Sequence, residues 1–384
     1  MGIINKMSKE SFDTDVSDAQ ATAVKPVTPE EFDFAAYQEY ERQLLQRCRS
    51  FWQADAGVLV YRRMRVAEVF SYGCRDMKSS LAWQLGALQK SMAYPADVPN
   101  FLEPWYGIGT VAACFGQDYI WEDGQAPAMR PKFQSVTEAL EYPAIPVAKT
   151  AIGKHTLEMI DYFLNQCDCR LPMSLCDIQS PLNVAGYIVD MTGFFTDVYD
   201  KPEQVRVLLN RLADLLVEFN QEQLKRIGDL SVWPGHGFAS CRAFDGLGLS
   251  DDNSLMLSNK HYRELAAPAL ARAGKPFGGA GFHSCGNWTG KIEVVKQIKD
   301  LRWIDAAFSA ATDPEPCSPE PFGKAFSHTG VTINARTVGD ANTVVDAVRR
   351  LWQPGLKLVA VTYCQSPEEQ KLAYEQIHQI CQDK

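Results

Sequence analysis

Apolar residues at Val205, Leu208, Leu209, Leu212, Leu215, Leu216 and Phe219 recur every three to four positions, and this spacing predicts a helix from about Asp200 to Ile227. Asp200 and Glu203 flank Pro202 as a capping pair at its start. Thr28-Pro29-Glu30-Glu31 carries the same kind of start signal and predicts a helix running to about Phe51. Further helical periods cover 80–92, 150–166 and 261–273. The last third alternates more regularly. Apolar runs at 275–282, 303–308, 328–334 and 356–363 read as strands, with helices over 289–300, 341–352 and 367–381 between or after them.

Repeated strand-helix units of this length imply an α/β fold with a parallel sheet, open or closed. Earlier strands are expected at 57–61, 171–178 and 229–233, while 245–252 reads as loop. About eight strand candidates, with polar residues recurring at their C-terminal ends, favour closure into a (β/α)8 TIM barrel. No glycine-rich dinucleotide fingerprint or phosphate loop opens a helix, which weakens a dinucleotide-binding reading. The expected organisation is a mobile polar tail over residues 1–27, a helical extension over 28–54 and the barrel over 55–384.

Composition narrows the function classes. A formal net charge of −9 in 384 residues argues against a broad nucleic-acid or anionic-membrane surface. No apolar run approaches the roughly 18 residues of a membrane span, and Met1 to Ala23 lacks the pattern of a secretory signal. Eleven cysteines at irregular spacing do not form a disulfide framework, so the expected setting is a reducing cytoplasm.

The sharpest chemical signal is Gly281-Phe282-His283-Ser284-Cys285-Gly286. Period-2 alternation at a strand end would point His283 and Cys285 to one side. Cys364, at the end of another expected strand, could supply a third ligand, and three protein ligands with a fourth position open is the catalytic arrangement of Zn²⁺. The plainer alternative has His283 bonded to a backbone carbonyl and both thiols packed in the core. Asp177 at a strand end could be a partner of a ligand, a substrate anchor, a general acid or simply a helix N-cap. His236, between two glycines, is either a substrate donor or a satisfied loop histidine. Asp251 and Asp252 are neighbours, so only one of them is expected to face a mouth.

Three stretches carry a family resemblance: Ser180-Pro181-Leu182-Asn183-Val184-Ala185-Gly186-Tyr187, Lys201-Pro202-Glu203-Gln204-Val205 and Leu257-Ser258-Asn259-Lys260-His261-Tyr262. From about residue 55 to its end the chain resembles the uroporphyrinogen decarboxylase superfamily. That resemblance implies a (β/α)8 barrel and either porphyrinogen decarboxylation or zinc-dependent methyl transfer linked to a corrinoid. The His-x-Cys at 283–285 and Tyr363-Cys364 resemble the methylcobalamin:thiol methyltransferase branch, implying Zn²⁺ on His283, Cys285 and Cys364. The chain lacks the decarboxylases' Leu-Gly-His-Gly-like turn and their Arg-Gln-Ala-Gly-Arg segment; Tyr61-Arg62-Arg63-Met64-Arg65 is basic but does not match. On the methyltransferase reading a corrinoid (methylcobalamin) arrives on a partner protein, Asp177, Tyr187 and His236 orient substrate, and a homodimer is compatible. The alternatives are uroporphyrinogen decarboxylation in tetrapyrrole biosynthesis and a non-catalytic corrinoid or thiol binding protein.

Overall fold

The computed structural model describes residues 20–235 and 237–382. Six parallel strands form its continuous sheet: β1 (Gly57–Arg62), β2 (Leu247–Ser250), β3 (Ala280–His283), β4 (Leu301–Ala307), β5 (Thr332–Thr337) and β6 (Lys357–Thr362), in the order β1-β6-β5-β4-β3-β2. Irregular segments carry the sheet onward from both edges. The Asp97 N–H donates to the Val60 carbonyl beside β1, and isolated parallel bridges join Leu102 to Met173, Met173 to Ser231 and Gln179 to Ser250 beside β2. The fold is therefore an α/β barrel of the (β/α)8 kind, regular over six strands and bridged over the rest.

The strand at β2 was expected to be loop. Its sequence, Leu-Gly-Leu-Ser, is short and half small residues, so it carries little strand signal of its own. Conversely, 171–178 and 229–233 were expected as strands and contribute only isolated bridges. The helix expected over 289–300 is reduced to a single turn, Ile292–Val295, after a short 3-10 stretch.

Alternation along each strand divides the barrel into two faces. Val60, Ile304, Ile333, Leu358 and Ala360 point outward and pack under the helices, whereas Leu59, Tyr61, Trp303, Val359, Val361 and Tyr363 fill the interior. The barrel is thus packed through its lower part and is not a pore. Helix α1 (Phe34–Gln53) seals that lower end: Leu45, Cys48 and Phe51 join the interior cluster, and Trp52 stacks on Trp303 with ring centroids 5.5 Å apart. The Asp33 carboxylate caps α1, accepting from the Ala36 N–H at 2.9 Å, so the helix starts five residues later than Thr28-Pro29 implied.

Residues 20–27 depart from the expected mobile tail. Ala21 bridges Arg65, the Thr22 N–H donates to the Arg65 carbonyl at 2.7 Å, and Gln20 Nε2 donates to the Thr312 carbonyl at 3.3 Å. This strap then lies across helix α2 (Met77–Ser91), where a Cβ on Gly86 would stand 1.9 Å from the Lys25 carbonyl oxygen. Only glycine allows that approach. Polar composition hid the segment because backbone bonds hold it together with scattered apolar contacts, Val24 and Val27, that show no period. Among the described residues no helix is long and apolar enough to cross a membrane.

Candidate active site

At the C-terminal ends of the strands the packed interior opens into a cavity of about 440 Å³, lined in part by Asp177, Tyr187, Asp252, His283, Cys285 and Arg336. Strand register explains most of this assembly. His283 on β3 lies opposite Asp305 on β4, which lies opposite Asn334 on β5, and Arg336 follows two residues later on the same face. Asp305 is fully buried. Its Oδ2 lies 2.5 Å from His283 Nδ1 and accepts from Arg336 Nε at 2.8 Å, and Asn334 Nδ2 donates to its other oxygen. Burial alone would push this carboxyl up, but Arg336 and His283 outweigh burial and hold it below the usual carboxylate range. Burial likewise works against the His283 imidazolium, yet the Asp305 charge and hydrogen bond raise its pKa well above the ordinary histidine range.

With Nδ1 engaged, His283 turns Nε2 toward the cavity, 3.5 Å from Cys285 Sγ and 3.7 Å from Asp252 Oδ1. One ligand atom from each of the three residues lies within 4.8 Å of the others. Tetrahedral zinc with bonds of roughly 2.0–2.3 Å needs ligand atoms about 3.3–3.7 Å apart, so the donor set fits with a small closure. Imidazole, thiol and carboxylate are all zinc ligands, and a carboxylate behind the imidazole is the usual outer support of such a site. The loop is fixed by Asp252 Oδ1, which accepts the Cys285 N–H at 2.7 Å, and by Asp313 Oδ2, which accepts the Gly286 N–H at 2.6 Å. Gly286 sits at φ +76°, a conformation suited to glycine.

The expected pair His283 and Cys285 therefore shares one face and one small volume. Cys364 does not join them. Residues 359, 361 and 363 of the β6 segment take the interior, which leaves Cys364 on the outward face, fully buried in the helix-side core, with its thiol pushed up to about 12 by burial. Asp252 stands in the third place. Metal content should fall in Asp252→Asn by roughly 10-fold or more at limiting zinc and stay unchanged in Cys364→Ala; the reverse pattern would restore Cys364 as the ligand.

Asp177 and Tyr187 both reach the cavity. Gln179 links them, donating from Nε2 to Asp177 Oδ1 at 3.2 Å and accepting from the Tyr187 hydroxyl at 3.2 Å. Asp177 is not the cap of the helix that follows; Ser180 caps α3 (Pro181–Ile188), accepting from the Asn183 N–H. Asp251 points away from the cavity, as its neighbour's role requires. It accepts from Ser180 Oγ at 2.5 Å and the Tyr262 hydroxyl at 2.6 Å, and burial pushes its carboxyl up to about 6 despite those bonds. His236 lies outside the described residues. The sequence reading missed Asp305 and Arg336, although a lone carboxylate in the apolar run Trp303 to Phe308 and an arginine two residues beyond Asn334 are both visible signals.

Comparison with known proteins accords with this architecture. A solved structure of a methyltransferase from Methanosarcina mazei superposes with a TM-score of 0.60 over 88% of this chain and 98% of its own, at 10% sequence identity, which is a likeness of fold. A search of curated proteins finds no match. The profile of the uroporphyrinogen decarboxylase (URO-D) family matches residues 101–307, more than half of the chain and including the His283-Cys285 loop. The chain belongs to the uroporphyrinogen decarboxylase family.

Proposed function

We propose that the chain is a zinc-dependent methyltransferase that moves a methyl group between a corrinoid on a partner protein and a thiol-type acceptor. The observation that carries this reading is the His283, Cys285 and Asp252 group on the wall of an open cavity, braced by Asp305. The methyltransferase with the same fold supports it as an analogy. His283, Cys285 and Asp252 would hold the ion. When bound, zinc supplies a Lewis acid that lowers the pKa of a coordinated thiol toward neutrality. Asp305 keeps the His283 ring oriented with Nε2 free for that role. Asp177, Gln179 and Tyr187 form a hydrogen-bonded wall that can orient the acceptor.

In the transfer itself the thiol first loses its proton to solvent at the mouth. The thiolate's electron pair then forms the S–C bond, while the pair of the broken Co–C bond stays on cobalt. The test is to incubate zinc-loaded protein with methylcobalamin and a small thiol. Methyl thioether should form as methylcobalamin is consumed, and no product with several thiols would sink the reading.

Porphyrinogen decarboxylation is the second reading. Arg63, Arg65 and Arg336 line the same cavity and favour a substrate rich in carboxylates. Release of CO₂ from uroporphyrinogen by metal-free protein would reverse the order of the two.

A further inference from the structure

We infer that Asn183 is a positioning residue that ties the Asp252 carboxylate to the wall of Gln179, Tyr187 and Asp177, so that ion and acceptor are held by one connected unit. This rests on the metal reading of His283, Cys285 and Asp252. Asn183 is 2% exposed and lies in the first turn of α3. Its backbone N–H is spent on the Ser180 cap at 3.0 Å, which fixes the turn and leaves the amide side chain for other partners. Nδ2 donates to Gln179 Oε1 at 2.9 Å and to Asp252 Oδ2 at 3.0 Å, while Oδ1 accepts the Asn253 N–H at 2.9 Å. Both amide protons and the carbonyl are therefore used, and the Asn253 bond decides which end of the amide faces Asp252.

The Asp252 carboxylate is thereby held at both oxygens. Oδ1 accepts the Cys285 N–H at 2.7 Å and stands 3.7 Å from His283 Nε2, and Oδ2 accepts from Asn183. Bonds to both oxygens fix the carboxylate plane, and a ligand already aimed loses less freedom when an ion arrives. On its other side the amide reaches the acceptor wall, because Gln179 Oε1 also accepts from the Tyr187 hydroxyl and Gln179 Nε2 donates to Asp177. Helix α3 itself does not call for asparagine, a weak helix former. All three side-chain bonds lead to Gln179 and to residues 252 and 253.

Zinc affinity is measured on metal-stripped full-length protein by competition with a chromophoric chelator. The forms compared are wild type, Asn183→Ala, Gln179→Ala and the double variant, beside thermal unfolding of each without metal. Asn183→Ala should weaken zinc about 10-fold or more. Gln179→Ala acts on Asp252 through Asn183, so it should weaken zinc a few-fold in wild type and add nothing in the Asn183→Ala background. The visible spectrum of Co²⁺-loaded protein, which follows ligand geometry, should change in Asn183→Ala. A residue that only braced the fold would lower the unfolding temperature and leave affinity and spectrum alone. Zinc affinity unmoved in Asn183→Ala, or additive effects of the two substitutions, would overturn the link while the zinc reading stands. If Asn183→Ala fails to fold, unchanged affinity in Gln179→Ala overturns it alone. Wild type that retains no zinc overturns the metal reading and the positioning role together.

Discussion

Alanine at His283 or at Cys285 is expected to remove both metal retention and methyl transfer, and at Cys285 to leave the fold intact. Each side chain contributes one of the three ligand atoms clustered among the described residues, and the Cys285 thiol is exposed at the cavity wall, where its loss leaves no core void. An outer-sphere partner alone is worth roughly 10- to 100-fold in metal affinity, so losing a ligand should exceed the upper end of that range. Asp305→Ala supplies the internal comparison. It should weaken zinc by the outer-sphere amount and also destabilise the fold, because it leaves Arg336 buried without its counter-charge. Elemental analysis after dialysis against a weak chelator, beside kcat/KM for the thiol, separates these cases. Full zinc content in Cys285→Ala would sink the metal assignment.

Asp97→Ala is expected to cost about 3–5 kcal/mol of folding stability without touching the cavity. The Asp97 carboxylate is fully buried where three distant segments meet. It accepts from the Val60 N–H of β1 at 2.8 Å, from Tyr374 and His378 of the C-terminal helix α4 (Pro367–Gln382) at 2.7 and 2.8 Å, and from Arg47 of α1. Burial alone would raise its pKa, but the His378 and Tyr374 bonds and the Val60 N–H together bring it below the ordinary aspartate value. The sign follows from linkage. A depressed folded-state pKa gives stability that is present in full above the unfolded value of about 3.9 and is lost as pH falls through the folded one. Urea midpoints of wild type and Asp97→Ala should therefore differ most at neutral pH and converge below about pH 4. A constant difference down to pH 2.5 would show that lost packing, and not the charge, sets the cost.

Much of the barrel is legible in the chain because helices and buried parallel strands advertise themselves through period and apolar content. The helix from Pro202 to Ile227 and strands β4 to β6 lie within a few residues of their expected places. What escaped is too short or too sparsely apolar to show a period. The strap at 20–27 has only scattered apolar residues and strand β2 only Leu247 and Leu249, yet one frames the mouth and the other leads directly to Asp252. The ligand set shows the same limit. His283 and Cys285 are two apart in one segment, so their shared face follows from local geometry. Whether Cys364 or its neighbour Tyr363 faced inward depended on the phase of β6, which an unbroken apolar run such as Leu358 to Val361 does not reveal. A shift of one residue exchanged a ligand for a phenol. Asp305 and Arg336 became meaningful only once register set them beside His283.

The helix that plugs the lower end of the barrel also constrains traffic. With Leu45, Cys48 and Phe51 packed into the interior and Trp52 stacked on Trp303, the described residues close the lower end, and the cavity's door lies at the C-terminal ends of the strands. A bulky donor seated at that door would stand between a small molecule inside and the solvent until it withdrew.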